Sequence, residues 1–234
     1  MTKKKKSTEK HDHDLFENPE AIAEQFSRTE QFIEKNKTAV SIAAGIILVV
    51  IVGYLFGTYY LQGQNNNAQR DMFQAVYYFE ADSLGKALNG DGNNFGFLDI
   101  ISEYDMTEAA NLANYYAGAT YLKLGDYENA VRYLDAFSAS DYVVQARAYA
   151  LSGDAQMELG NYKEAAVLYE KAADYNSNKQ FSPSYLTKAA IANEEAGDLN
   201  AAIDNYQTIV DEYYDALEYQ ESVKHLARLQ GLSN

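Results

Sequence analysis

Few side chains in these 234 residues are of the types and spacings that do chemistry. His11 and His13 alternate with Asp12 and Asp14, a set able to ligate a metal ion. They lie in a polar, charged run, Met1 to Glu17, with too few apolar residues to offset the entropy of ordering. A solvated, disordered tail is the better reading there. The third histidine, His225, stands alone. Glu194 and Glu195 are adjacent carboxylates, but acid–base work needs other groups to converge on them, and on a helix they read as a solvated face. The stretch Asn89-Gly90-Asp91-Gly92-Asn93-Asn94 approaches a calcium-loop spacing. Phe95 nevertheless occupies a ligand position, and Ser102 stands where a bidentate Glu is needed, so the stretch reads as a turn. The sequence contains no HExxH, GxSxG, phosphate-loop or dinucleotide-binding pattern. Cysteine is absent, which excludes disulfides, thiolate zinc sites and a cysteine nucleophile. We expect no catalytic residues, no cofactor and no metal, and a chain that binds rather than reacts.

The elements that position side chains are set first by Ala39 to Leu61, twenty-three residues without a charge. As a helix this stretch is roughly 34 Å long, enough to cross a hydrocarbon layer of about 30 Å with some tilt. It lies too far from the amino terminus, runs too long and lacks a small-x-small exit, so it reads as a retained anchor and not as a cleaved signal. Arg28, Lys35 and Lys37 stand close before it, with Lys3 to Lys6 further out, while only Arg70 lies near its other end. That asymmetry predicts a cytoplasmic amino terminus. Tyr54, Tyr59 and Tyr60 suit the far interface.

Charge divides at the span. Met1 to Lys37 carries eight basic and eight acidic residues, which leaves the whole net charge of −15 to the remainder. So acidic a domain is repelled by phosphate backbones, and nucleic-acid binding is disfavoured. Before the span, Asn18 as N-cap, Pro19 at the first helical position and Glu20 near the positive helix end predict a helix over 18–38. Ile22, Phe26 and Ile33 fall on one face of it, with Phe32 nearby. This helix lies along the membrane, docks on a partner, or simply leads into the span. Within the span, Gly53 and Gly57 form a GxxxG spacing that lets two helices approach, which opens the way to a homodimer.

After the span, Gln62 to Asn67 reads as a linker and 68–104 as a degenerate leading helical hairpin. Three triplets then recur: Gly125-Asp126-Tyr127, Gly160-Asn161-Tyr162 and Gly197-Asp198-Leu199, 35 and 37 residues apart. In each, the Gly can take the left-handed conformation that ends one helix, and the Asp or Asn can cap the next. Ala130, Ala165 and Ala202 follow in one phase, then Leu134, Tyr169 and Tyr206. Gly118, Gly153 and Ala190 stand seven residues before the turn glycines, where only a small residue lets paired helices close up. Asp105 with Glu108 is expected to box the first hairpin, Ser182-Pro183 to start the third, and Asp215 to cap a last helix to about Gln230.

These residues resemble the tetratricopeptide repeat, whose period is about 34. The resemblance covers 105–212 as three repeats, with 213–234 as a capping helix. Asn114 replaces the usual tryptophan, and the repeat-ending prolines are missing at Tyr142 and Ser177. The fold class it implies is all-α: one transmembrane helix, then an α-solenoid of helical hairpins. It implies a concave binding groove including Leu112, Tyr115, Ala119 and Leu122, then Arg147, Asp154, Met157 and Glu158, then Thr187, Ile191, Glu194 and Glu195. The Lys, Arg and Asn set with which one subtype grips a peptide carboxylate is missing. The groove is therefore expected to suit segments carrying apolar and basic residues.

The order of elements, with the run Thr29 to Lys37 leading into the span, resembles the ancillary subunit of the bacterial Sec translocon. That resemblance implies an inner-membrane protein of a Gram-negative cell with its carboxyl-terminal domain in the periplasm. It would associate with the translocation channel and help pass secreted client chains to periplasmic chaperones. The alternative is a self-associating envelope scaffold, like the related cell-division tetratricopeptide proteins.

Overall fold

A computed structural model describes residues 19–175 and 177–232. The expected disordered tail, its histidines His11 and His13, and the Asn18 cap lie outside the described residues. All eleven described elements are helices, and the chain divides into two compact units between Tyr59 and Tyr60.

The first unit holds α1 (Pro19–Lys35) and the beginning of α2 (Lys37–Glu80). Asn36 parts the two helices and donates its side-chain amide to the Phe32 carbonyl at 2.9 Å. On α1, Phe26, Phe32 and Ile33 are exposed. In the stretch expected to span, apolar side chains on every side of α2 are exposed, from Ile42 and Ile46 to Leu55 and Phe56. This is the one helix among the described residues long and apolar enough to cross a membrane, and it is a candidate span.

The second unit starts within α2, at Tyr60. Residues 62–67, expected as a linker, are helical and continue α2 to Glu80. Glutamine and asparagine disfavour helix weakly, and local pairs offset that cost. Gln64 donates to the Tyr60 hydroxyl at 2.8 Å, and Arg70 bonds Asn67 one turn away. Ala68, Met72 and Ala75 then bury one face. The 68–104 segment, expected as a hairpin, is three pieces: the end of α2, α3 (Leu84–Asn89) and α4 (Phe97–Glu103). Asp82 in a left-handed conformation (φ 57°) and Gly90 (φ 73°) make the breaks. The loop that approached a calcium-loop spacing is closed on itself, because the Asp91 carboxylate accepts the Asn93 and Asn94 amides at 2.9 and 2.8 Å and the Tyr78 hydroxyl at 2.7 Å.

Three helical hairpins follow: α5 (Glu108–Leu124) with α6 (Tyr127–Ala136), α7 (Tyr142–Glu158) with α8 (Tyr162–Asp174), and α9 (Ser182–Glu195) with α10 (Leu199–Glu212). Each turns at a left-handed glycine, Gly125, Gly160 or Gly197. The side chains of Asp126 and Asp198 accept the amides of Asn129 and Ala201, so they cap the returning helices. Within each hairpin a large residue seats on a small one. A Cβ on Gly118 would stand 2.6 Å from Leu134, and one on Gly153 2.8 Å from the Tyr169 ring. In the third pair Ala190 and Tyr206 share a core cluster. Ala130, Ala165 and Ala202 are fully buried.

Three caps differ from expectation, the first being Asn161, whose side chain donates to Gln156 and does not cap α8. Thr107, and not Asp105, caps α5, accepting from the Ala110 amide at 3.1 Å, while Asn65 of α2 takes the Ala109 amide at 2.9 Å. The last helix, α11, runs Tyr219–Leu232 and starts beyond Asp215, whose carboxylate instead pairs with Lys179 at 2.8 Å. Leu226 and Leu229 of α11 close the core of the third hairpin. At the other end, Phe97 of α4 stacks on Tyr116 of α5 at 5.2 Å with Phe79 of α2 edge-on, which covers the first hairpin.

Candidate protein-binding face

The first helices of the hairpins, α5, α7 and α9, carry the residues assigned to the groove. Four of them come together: Tyr115, Ala119, Leu122 and Arg147 line one open pocket of about 530 Å³. Tyr115 is held upright by aromatic neighbours, its ring 5.4 Å from Phe137 and 5.5 Å from Tyr116. Burial pushes its hydroxyl above the ordinary tyrosine range, and the nearby Arg147 charge opposes that rise. The Tyr185 hydroxyl of α9 behaves in the same way under the same arginine. A pocket with aromatic and aliphatic walls and two exposed cations, Arg147 and Lys123, can hold a short stretch of polypeptide by apolar contact and fix its register by charge.

The remaining groove residues sit elsewhere. Asp154 accepts the Tyr169 hydroxyl and the Lys188 ammonium, each at 2.7 Å, and ties α7 to α8 and α9. Glu194 accepts the Tyr206 hydroxyl at 3.2 Å and the Arg228 guanidinium at 2.5 Å, which fastens α11 onto the third hairpin. Met157 packs against the second hairpin's core, and Leu112 against the cores on either side of it. Thr187 donates to the Pro183 carbonyl one turn back at 2.9 Å. Glu158 raises the Tyr127 phenol by its charge, Ile191 is exposed at 43 %, and Glu195 is exposed. His225 stacks on Tyr206 with ring centres 5.0 Å apart, a packing contact.

The pocket also contains residues that repeat position did not indicate: Phe79 and Glu80 from α2, with Tyr116, Lys123 and Leu151. Lys123 could have been suspected beside Leu122. Phe79 and Glu80 could not, because they precede the repeat and reach it only through the fold. Among the described residues no three His, Cys, Asp or Glu side chains gather as a metal site would require.

A family model described as the tetratricopeptide repeat matches residues 112–140, which cover most of α5 and all of α6. No curated protein matches the chain. With that match, the three stacked hairpins make the chain an all-α tetratricopeptide solenoid behind one candidate span. The repeat supports a protein-binding module with protein partners.

Proposed function

We propose that this chain is a membrane-anchored, protein-binding subunit of the bacterial secretion apparatus, which receives secreted chains beside the Sec translocon and helps pass them to periplasmic chaperones. The observation that carries the reading is the pocket of about 530 Å³ between α2, α5 and α7, on a chain with a candidate span. The layout of tail, lead-in helix, span and acidic solenoid agrees with it. An acidic face stays in solution beside anionic lipid, and an anchor raises the local concentration of the pocket at an exit pore. Among the described residues nothing gathers nucleophile, base and electrophile, and the reading is binding without turnover.

A photocrosslinking residue in place of Tyr115, in intact membranes, tests it. The expected products are adducts with translocon subunits or secreted chains, fewer when secretion is blocked. Adducts that contain only a second copy of this chain would favour the scaffold reading. One observation speaks for that second reading: Gly53 and Gly57 have nothing within 4 Å of where a Cβ would stand. Exchanging Ala39 to Leu61 for an unrelated span separates the two. A translocon subunit loses its partner, whereas a scaffold keeps the complex held through its solenoid and loses only the contact at Gly53 and Gly57.

A further inference from the structure

Two charges in the pocket, Arg147 and Glu80, have no ion-pair partner among the described residues. Arg147 is exposed and, among the described residues, forms no ion pair and donates no hydrogen bond. The chain has 34 acidic and 19 basic residues, and several other cations of the solenoid have found partners. Lys123, in the same pocket, is held by Asp82 at 2.6 Å, and Lys188 by Asp154 at 2.7 Å. Lys171 lies over the Tyr149 ring at 4.1 Å. Glu80 lines the pocket too, yet it does not come within ion-pairing distance of Arg147. A guanidinium presents parallel N–H groups that match one carboxylate in a two-pronged contact, and it gains most where apolar walls exclude water. Here those walls are Ala119 and Leu122 from α5 and Leu151 from α7.

We propose that Arg147 selects partner segments in which an internal Asp or Glu side chain lies between aliphatic residues. The inference rests on the reading of the pocket as a polypeptide site and specifies its chemistry. It also revises the sequence-based expectation of basic ligands, because the cation lies on this chain and the matching anion belongs to the partner. One fork matches one carboxylate, and the net negative charge of the domain penalises any further anion. Apolar walls from two helices call for aliphatic neighbours on both sides of the acid, which an internal residue supplies and a chain end does not.

The test uses the full chain in detergent and three decapeptides with an uncharged dye, read by anisotropy at about 0.15 M salt. One peptide is amidated and carries a single Glu between two leucines. The second has Gln in its place. The third has that Gln and a free terminal carboxylate. Wild type should bind the Glu peptide about tenfold tighter than either Gln peptide, the range of a charge-assisted bidentate contact. Arg147→Met should abolish the preference, so that the Glu peptide and the amidated Gln peptide bind with equal affinity, while the helical circular dichroism is unchanged. Arg147→Lys should restore part of the preference. Binding without discrimination by wild type, an undiminished Glu preference in Arg147→Met, or a free-carboxylate peptide as tight as the Glu peptide would each overturn the proposal and leave the pocket reading standing. Failure of all three peptides to bind would bring down both.

Discussion

Gly118 and Gly85 show how a single atom's surroundings decide the sign of a substitution. Both lie in helices, where alanine is intrinsically better than glycine by about 1 kcal/mol. A Cβ on Gly118 would stand 2.6 Å from Leu134 Cγ and 3.0 Å from the Leu134 backbone nitrogen, so relief requires the two helices to part. Gly85 has nothing within 4 Å. Gly118→Ala should therefore lower stability by about 1–2 kcal/mol, overpacking outweighing propensity. Gly85→Ala should be neutral or gain up to about 1 kcal/mol, and urea unfolding of both variants compares them directly. Tyr206 makes a second prediction, on pH. Burial first, and then the Glu194 charge and hydrogen bond, hold its phenol well above the ordinary value of 10.0. The folded chain thus keeps a proton that the unfolded chain loses once pH passes about 10. The stabilisation is complete below that pH and falls as pH climbs above it. Tyr206→Phe cannot titrate, so its stability should decline less steeply than wild type between pH 9 and 11, although it starts about 1 kcal/mol lower for the lost hydrogen bond. Parallel curves would refute the assignment.

At the scale of the element, capping separates two residues that look equivalent in sequence. Asp141 precedes α7, and its carboxylate accepts the amides of Val143 and Val144 at 2.9 and 3.0 Å. Asn161 precedes α8, but its side chain bonds Gln156 at 2.8 Å and caps nothing. Asp141→Ala should cost about 1 kcal/mol and Asn161→Ala a few tenths, measurable as a difference in denaturation midpoint. The hairpins were legible because their signals are local: a glycine able to adopt φ near 77° next to a capping residue, and small residues in register across the pair. What sequence did not disclose is non-local. Asn65 reads as linker until its carbonyl oxygen is seen on the Ala109 amide, 44 residues away. Asp215 has the composition of a cap, yet Lys179 draws its carboxylate away and depresses its protonation below the usual range. The site divides along the same line. Tyr115, Ala119, Leu122 and Arg147 follow from repeat position, whereas Asp154 and Glu194, read as groove lining, fasten neighbouring helices instead. Phe79 and Glu80 enter the pocket only because α2 folds against α5.

For the whole molecule, the governing fact is the partition of charge about one apolar stretch. Every residue of the −15 net charge lies beyond Lys37, and the segment before it is electrically balanced but rich in lysine near the start. Translocation machinery retains short positive flanks on the cytoplasmic side and moves long acidic domains across largely regardless of charge. The proposed topology therefore puts the solenoid outside the cytoplasm, and protease on sealed spheroplasts tests it. With a tag at each end, the carboxyl-terminal tag should disappear under external protease while the amino-terminal tag survives on a fragment that sediments with membranes. Moving Lys35 and Lys37 to positions just after Leu61 should shift part of the population to the opposite orientation, since the bias comes from those flanking cations. An unprotected amino-terminal tag in the unaltered chain would invert the topology and, with it, remove the pocket from the compartment where secreted chains emerge. Recovery of the full-length chain in the soluble fraction would be equally decisive, because an uncharged stretch of twenty-three residues with its side chains exposed has no stable alternative to lipid in water.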